Sequence, residues 1–489
     1  MWRHDNSIIL ERRPTGLARV LRNRQRDSFN LGLLTIPPAT ALAVLLIPED
    51  LSTSGALFWP AWVLTAGLLI GVLIKVVDRG FMELLRAHHL LMLAIVIVVC
   101  AEPLHPSYQI LSNYETVSKT FLSIGFFGTI VALASSLPPL RVPLSVRQFA
   151  ARYYSTRLLF QIVLTATGVA ISSFAYAADF SLSRMIDGLL AARFAAPWSR
   201  GQLGGWDAFR DFSSYFAYIV PTFTVLLAIR HGSWLQPLVL ISALCSLVNL
   251  AFLAQGGGRR IIVFILGSAL LTWLHSRHRH LRNRHYIFVA ALVLANVVFL
   301  DVLLTQRTVG FREFSYTSMD FRGLRVDDNF RSLSETLRII PAEAEFVGFQ
   351  HFWYVLVRPV PRVFWPSKPI NSGFDLAAHL RARGVSLSIT SIGEAYMSFG
   401  WLGVALGGLF FGWIARSWSQ LVDHEYGLIG SALYAFGVMA LFIGMRSMLE
   451  LVLMTYPIIC WYVLDGLLGS PEPATYPRRT SALMHSARR

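Results

Sequence analysis

The sequence predicts an all-α, polytopic membrane protein with about twelve transmembrane helices and a large loop between the ninth and tenth. The first observation behind this is composition: 489 residues, 54% hydrophobic and 15% charged, with a mean hydropathy of +0.53. The second is that the apolar residues come in runs of about 20, the length that crosses a hydrocarbon core. The third is that cations gather in alternate connections, as cytoplasmic loops do.

Residues 1–28 form a basic cytoplasmic arm, too polar and too long before the first apolar run to be a cleavable signal. Nine spans fill 29–305: 29–48, 56–77, 86–103, 120–140, 157–178, 213–230, 235–255, 260–275 and 286–305. Three more lie within 391–467, at 391–415, 428–445 and 448–467, before a cytoplasmic tail at 468–489. The loop with Lys75, Arg79 and Arg86, the stretches RVPLSVRQFAARYYSTR and SRHRHLRNRH, and the Arg416 loop share the side of both termini. That side is cytoplasmic by its cation excess. The net charge of +15 therefore reflects topology and membrane lipid, and nucleic acid is not a predicted partner. Cys100, Cys245 and Cys460 all fall inside apolar runs, which excludes a disulfide framework or zinc spacing.

Two outer loops are long, 179–212 and 306–390, and long structured loops on one face point to recognition or chemistry there. The first begins as an amphipathic helix with Leu182, Met185, Ile186, Leu189 and Leu190 on one side. Trp198 and Trp206 are its predicted anchors at the membrane–water interface. The second mixes charges of both signs, predicting a folded cap, and ends in RPVPRVFWPSKP, residues 358–369.

The prolines of that segment fix φ and pre-position Arg358, Arg362 and Lys368 for an anion; the alternative is a rigid loop packed on the cap. Lysine is the unusual choice, because the chain has 40 arginines and three lysines. Phe364 and Trp365 suit a sugar face or lipid. Arg259 and Arg260 follow three glycines and open the eighth span, where free N–H groups favour anions; alternatively they reach lipid headgroups. Arg446 lies at an outer helix junction and otherwise pairs with Glu450 one turn on. Glu394, at the start of the tenth span, is the best candidate for a base, with His351 second. An ion pair or the helix dipole is the competing role for Glu394, and a solvated or hydrogen-bonded loop residue for His351. Asp301 is costly in lipid and should face the protein interior, and Gly403, Gly407, Gly408 and Gly412 allow close helix packing. No DxD or His/carboxylate cluster suggests a metal, and no cofactor is predicted.

RPVPRVFWPSKP, followed by ITSIGEAYMSFGWLGVALGGLFFGWIARSW, resembles the C-terminal signature of bacterial O-antigen (Wzy-type) repeat-unit polymerases. The GGGRR opening of a span, Arg446 and the placement of the largest outer loop agree with that family. The resemblance implies a metal-independent glycosyltransferase of the GT-C type in the bacterial inner membrane, its active site facing the periplasm. Its substrate would be an undecaprenyl-diphosphate-linked oligosaccharide, with the growing glycan moved onto a new lipid-linked repeat unit. Arg259, Arg260, Arg358, Arg362, Lys368 and Arg446 would hold the diphosphate, Arg358 and Arg362 foremost. Partners implied are a chain-length regulator and a flippase. An O-antigen ligase and a single-sugar transferase using Glu49 and Asp50 are enzyme alternatives, and a lipid-linked oligosaccharide flippase is the transporter alternative.

Overall fold

A computed structural model describes residues 30–110, 112–199, 207–256, 258–277, 283–310, 327–358, 360, 362, 364–369, 371–382, 387–423 and 426–469. The side chains of 207–208, 283–284, 286, 297, 301, 304–309 and 423 lie outside that description. The N-terminal arm, Trp206, the Asp301 side chain, residues 311–326 and the tail beyond 469 therefore carry expectations that fall outside the described residues.

All regular elements among the described residues are helical. Nine of these helices are long and apolar enough to cross a membrane: Phe58–Arg79, Tyr114–Ser136, Thr156–Ala177, Phe209–His231, Pro237–Gln255, Arg259–Arg277, Thr390–Val422, Gly427–Gly444 and Met448–Leu468. The three other predicted spans coincide with shorter apolar helices, Gly32–Leu45, Ala87–Cys100 and Ile287–Leu300. Lipid-facing positions such as Leu73, Val77, Leu244, Leu294, Leu402 and Leu467 are exposed, as expected where a bilayer supplies the apolar partner.

Several boundaries move for local reasons. The fourth span starts at Tyr114 rather than 120, because the Asn113 side chain accepts the Thr116 N–H at 2.8 Å and caps the helix. Its polar first turns then face the helix Asn329–Ile339, where the Thr120 and Ser334 hydroxyls lie 2.8 Å apart. The third span ends in a π-helical turn, Val96–Cys100, two residues short of Glu102.

The largest correction concerns the tenth span. Phe399 and Gly400 leave helical geometry inside it, Gly400 at φ +60° and ψ −141°, a conformation that favours glycine. What reads as one apolar run is a short helix, Thr390–Ser398, folded back onto a longer one. A methyl group at Gly403 would strike the Ala395 carbonyl, and one at Gly407 would sit 3.1 Å from the Ala395 side chain.

The glycine pattern does allow close packing, against the Tyr114–Ser136 helix. A Cβ at Gly408 would lie 2.9 Å from the Ile130 side chain, and one at Gly412 would lie 2.7 Å from the Val131 carbonyl oxygen. Elsewhere the core is aromatic. Trp461 is fully buried among Phe149, Tyr154, Phe223 and Phe436. The Tyr154 hydroxyl accepts its indole N–H at 3.0 Å and donates to Asp465 at 2.6 Å.

The predicted amphipathic helix is Leu182–Leu190, with Leu182 and Ile186 exposed and Met185 and Leu189 packed on the bundle. Trp198 does not anchor at a membrane surface. It is buried between Phe174 and Phe252 and donates its indole N–H to Gln255 Oε1 at 3.0 Å. A partner for the N–H inside the protein makes the buried position better than the interface.

Gly412→Val should lower stability by about 1–3 kcal/mol, because the added methyls meet backbone that cannot give. A thermal midpoint in detergent equal to that of the parent protein would contradict the close packing.

Candidate functional site

The Thr390–Ser398 half-helix organises one end of the bundle. Ser391 N–H donates to the Met445 carbonyl at 3.0 Å, and the Ser391 hydroxyl donates to the Gly444 carbonyl. The Ser388 hydroxyl donates to the Arg446 carbonyl at 2.6 Å. One turn along, the buried Glu394 carboxylate takes the Ser447 hydroxyl on Oε1 at 2.6 Å and the Met448 N–H on Oε2 at 2.5 Å. Glu394 thus caps the start of the neighbouring helix Met448–Leu453, where a carboxylate also meets the positive end of the dipole.

His351 lies beside this clasp. It sits on the helix Gln350–Val357, which packs against Met448–Leu453 and turns Phe349, Trp353 and Leu356 outward. The buried ring places Nε2 3.5 Å from Glu394 Oε2, and neither ring nitrogen makes a hydrogen bond. The structure therefore brings both predicted base candidates together. It gives the carboxylate to the backbone and leaves the imidazole uncommitted.

Three of the six predicted cations converge at the same end. Arg446, in the turn that Glu394 fixes, holds its Nε 3.3 Å from Asp327 Oδ2, and Arg259 pairs with the other oxygen of the same carboxylate. Arg260 pairs with Glu450 at 2.6 Å. Glu450 pairs with Arg260, whereas the alternative role considered for Arg446 paired it with Glu450. Glu450 Oε2 and the Nε atoms of Arg260 and Arg446 are buried without hydrogen-bond partners. Burial holds the Arg446 pKa below the usual arginine range, Asp327 pulling it back up and Arg260 pushing it down, yet a guanidinium stays charged. Such a group strongly favours an anion at hand.

Arg358, Arg362 and Lys368 make a different arrangement. Lys368 is buried and donates from Nζ to the carbonyls of Arg358 at 3.0 Å and Val360 at 2.6 Å. Burial, then the two nearby guanidinium groups, lowers its pKa. Arg362 donates to the Pro366 and Pro369 carbonyls at 3.3 and 3.2 Å, and Arg358 lies over the Tyr354 ring. Among the described residues, no ion pair or hydrogen bond links these three to the Arg446 cluster. The rare lysine closes the loop on itself. Phe364 remains exposed, whereas Trp365 is half-buried, donates to Ser367 and meets Trp353 edge-on. Asp50 serves its own turn, accepting the Ser52 N–H at 2.8 Å.

The sequence reading missed Asp327 and Glu102. The buried Glu102 accepts the N–H groups of Phe330 and Arg331, at 2.7 and 3.3 Å, and so ties the helix Asn329–Ile339 to the bundle. An acidic pair ahead of a periodic apolar stretch, Asp327–Asp328 here, is a helix-start signal that could have directed attention there.

A family model described as a domain of unknown function, DUF8712, matches residues 321–455. That stretch holds Asp327, His351, Glu394, Arg446 and Glu450, while Arg259 and Arg260 arrive from outside it. No curated protein and no solved structure matches the chain.

Glu394→Gln keeps the volume but only one acceptor oxygen, so it should cost about 1–3 kcal/mol. Denaturation in detergent measures this, and a variant as stable as the parent would remove the clasp. Burial raises the Glu102 carboxyl from 4.5 to about 7. Its contribution is therefore full below about pH 4.5 and lost as pH rises through about 7, a change of about 3 kcal/mol. The thermal midpoint should fall over that window, and Glu102→Gln should flatten the fall. An identical pH profile in the variant would refute the assignment.

Proposed function

We propose that this protein is a membrane-embedded glycosyltransferase that polymerises lipid-linked oligosaccharide repeat units at the periplasmic face of the bacterial inner membrane. The observation that carries the reading is the convergence of Arg259, Arg260 and Arg446 beside Glu394 and His351 at one end of a helical bundle. Both substrates would be anchored in the bilayer by undecaprenyl chains. As the bond from the anomeric carbon to the diphosphate breaks, negative charge grows on the leaving group and needs preorganised cations. Guanidinium forks match phosphate oxygens in a bidentate way.

Asp327 and Glu450 hold these forks in ion pairs. A buried ion pair adds little net stability, so exchanging a carboxylate for a diphosphate oxygen costs little. Asp327, the more exposed of the two, is the easier to exchange. His351 would take the proton of the attacking sugar hydroxyl as the new glycosidic bond forms, with Glu394 stabilising the imidazolium. Arg358, Arg362 and Lys368 then shape the loop beside the site, and Phe364 offers a face to sugar or lipid. A chain-length regulator and a flippase would be the partners.

Purified protein in lipid nanodiscs, given only undecaprenyl-diphosphate repeat units, should build a ladder of longer glycans. Failure to elongate would exclude the polymerase, and a strict need for lipid A core would favour the ligase. Arg446→Ala and Arg260→Ala should each reduce elongation by about 10²-fold or more while the protein still accumulates in the membrane. Undiminished turnover in both would remove the diphosphate role.

A further inference from the structure

The helix Gln350–Val357 turns an apolar side outward. Phe349, Trp353 and Leu356 recur at intervals of four and three, the spacing of one helix face. Phe349 is 77% exposed and Leu356 67%, with Trp353 exposed between them. His351, on the opposite side, is buried beside Glu394. A single exposed apolar residue needs no explanation, but three in register on a short loop helix invert the order expected in water.

The backbone fixes where this face lies. Val347 N–H donates to the Met397 carbonyl at 3.0 Å and Gly348 N–H to the Ser398 carbonyl at 3.1 Å. The chain entering the helix thereby caps the end of the half-helix Thr390–Ser398. Phe349 and Phe352 then meet the Phe399 ring, centroids 4.9 and 6.1 Å away, at the break itself. From Gly400 to Arg416 the longer helix rises about 24 Å, close to the thickness of a hydrocarbon core. The loop helix is therefore held at one edge of that core.

Continuity identifies what covers the face. Exposed Trp401 opens the longer helix, and Leu402, Leu406 and Phe410 carry its exposed side along the membrane. The Tyr396 ring meets Trp401 at 5.9 Å and the exposed Phe346 at 6.1 Å. The lipid-facing surface of the span thus passes ring to ring into the loop. Trp353 meets Trp365 edge-on, and Arg358 closes the helix with its guanidinium over the Tyr354 ring. Tryptophan, and arginine with its apolar stem, settle where hydrocarbon gives way to headgroups.

We propose that the helix Gln350–Val357 is inserted in the membrane, with Phe349, Trp353 and Leu356 seated in the lipid hydrocarbon of the adjoining leaflet. The loop that the sequence presents as a folded cap has one wall in lipid, and the bilayer itself holds His351 near headgroup depth. The assignment needs no part of the glycan-transfer reading and is tested without it.

Leu356→Cys and, separately, Phe349→Cys are labelled with a nitroxide in full-length protein, then reconstituted into vesicles of phosphatidylcholine and phosphatidylglycerol. Glu345→Cys, an exposed polar position ahead of the helix, is the aqueous reference, and parent protein taken through the same labelling is the blank for the native cysteines. Oxygen, which concentrates in hydrocarbon, should relax the labels on the helix face several-fold more than a water-soluble nickel chelate does. The order should reverse at the reference position. Stronger relaxation by the chelate on the helix face would put that face in water and overturn the proposal. Weak relaxation by both reagents would also overturn it, in favour of a second copy or a partner protein covering the face. Both side chains are largely exposed, so the thermal midpoint should not change; should it fall for one variant, the other decides by the same criterion.

Discussion

The Glu394 carboxylate is the contact on which the candidate site depends. One oxygen holds a side chain and the other holds a backbone N–H, and both partners belong to the turn that presents Arg446. Two helices distant in sequence are thereby fixed end to end, with His351 resting against the joint. Each carboxylate oxygen meets a donor, and the start of the Met448–Leu453 helix adds its dipole. The same contact engages both Glu394 oxygens, which leaves His351 the less committed of the two candidates.

The arginine pairs pose the complementary problem. Taking ions out of water is expensive, and the attraction between partners returns only part of that cost. Nature usually settles the matter with apolar residues when stability is the sole demand. Retaining Arg259, Arg260 and Arg446 around two carboxylates, with hydrogen-bonding atoms still unsatisfied, is easier to understand at a place that exchanges anions than at one that only packs.

Much of the architecture was legible because hydropathy is local. Run length located the helices that reach spanning length, and the Gly403 to Gly412 pattern located a close contact. The break at Phe399–Gly400 was hidden, since a run of apolar residues looks the same straight or folded back. Trp198 misled because an indole near a membrane face and an indole with a buried amide partner share one sequence signature. The site was half legible. Helix-end position singled out Glu394, Arg259, Arg260 and Arg446, but Asp327 and its two arginines are separated by 68 and 119 residues, beyond any local pattern. The proline-rich loop draws attention because prolines fix φ. Stiffness does not say where the cations point, and Lys368 points into the loop.

The bare glycine face on the longer part of the broken helix lets its backbone sit directly on the Tyr114–Ser136 helix, Gly408 against the Ile130 side chain and Gly412 against the Val131 carbonyl. Surfaces so closely fitted cannot slide or roll without collision, and close-packed interiors transmit strain rather than absorb it. The pair is a rod with no joint along its length. A tilt of the longer helix is shared along both and reaches the proline turn, where Trp413 holds the Pro138 carbonyl.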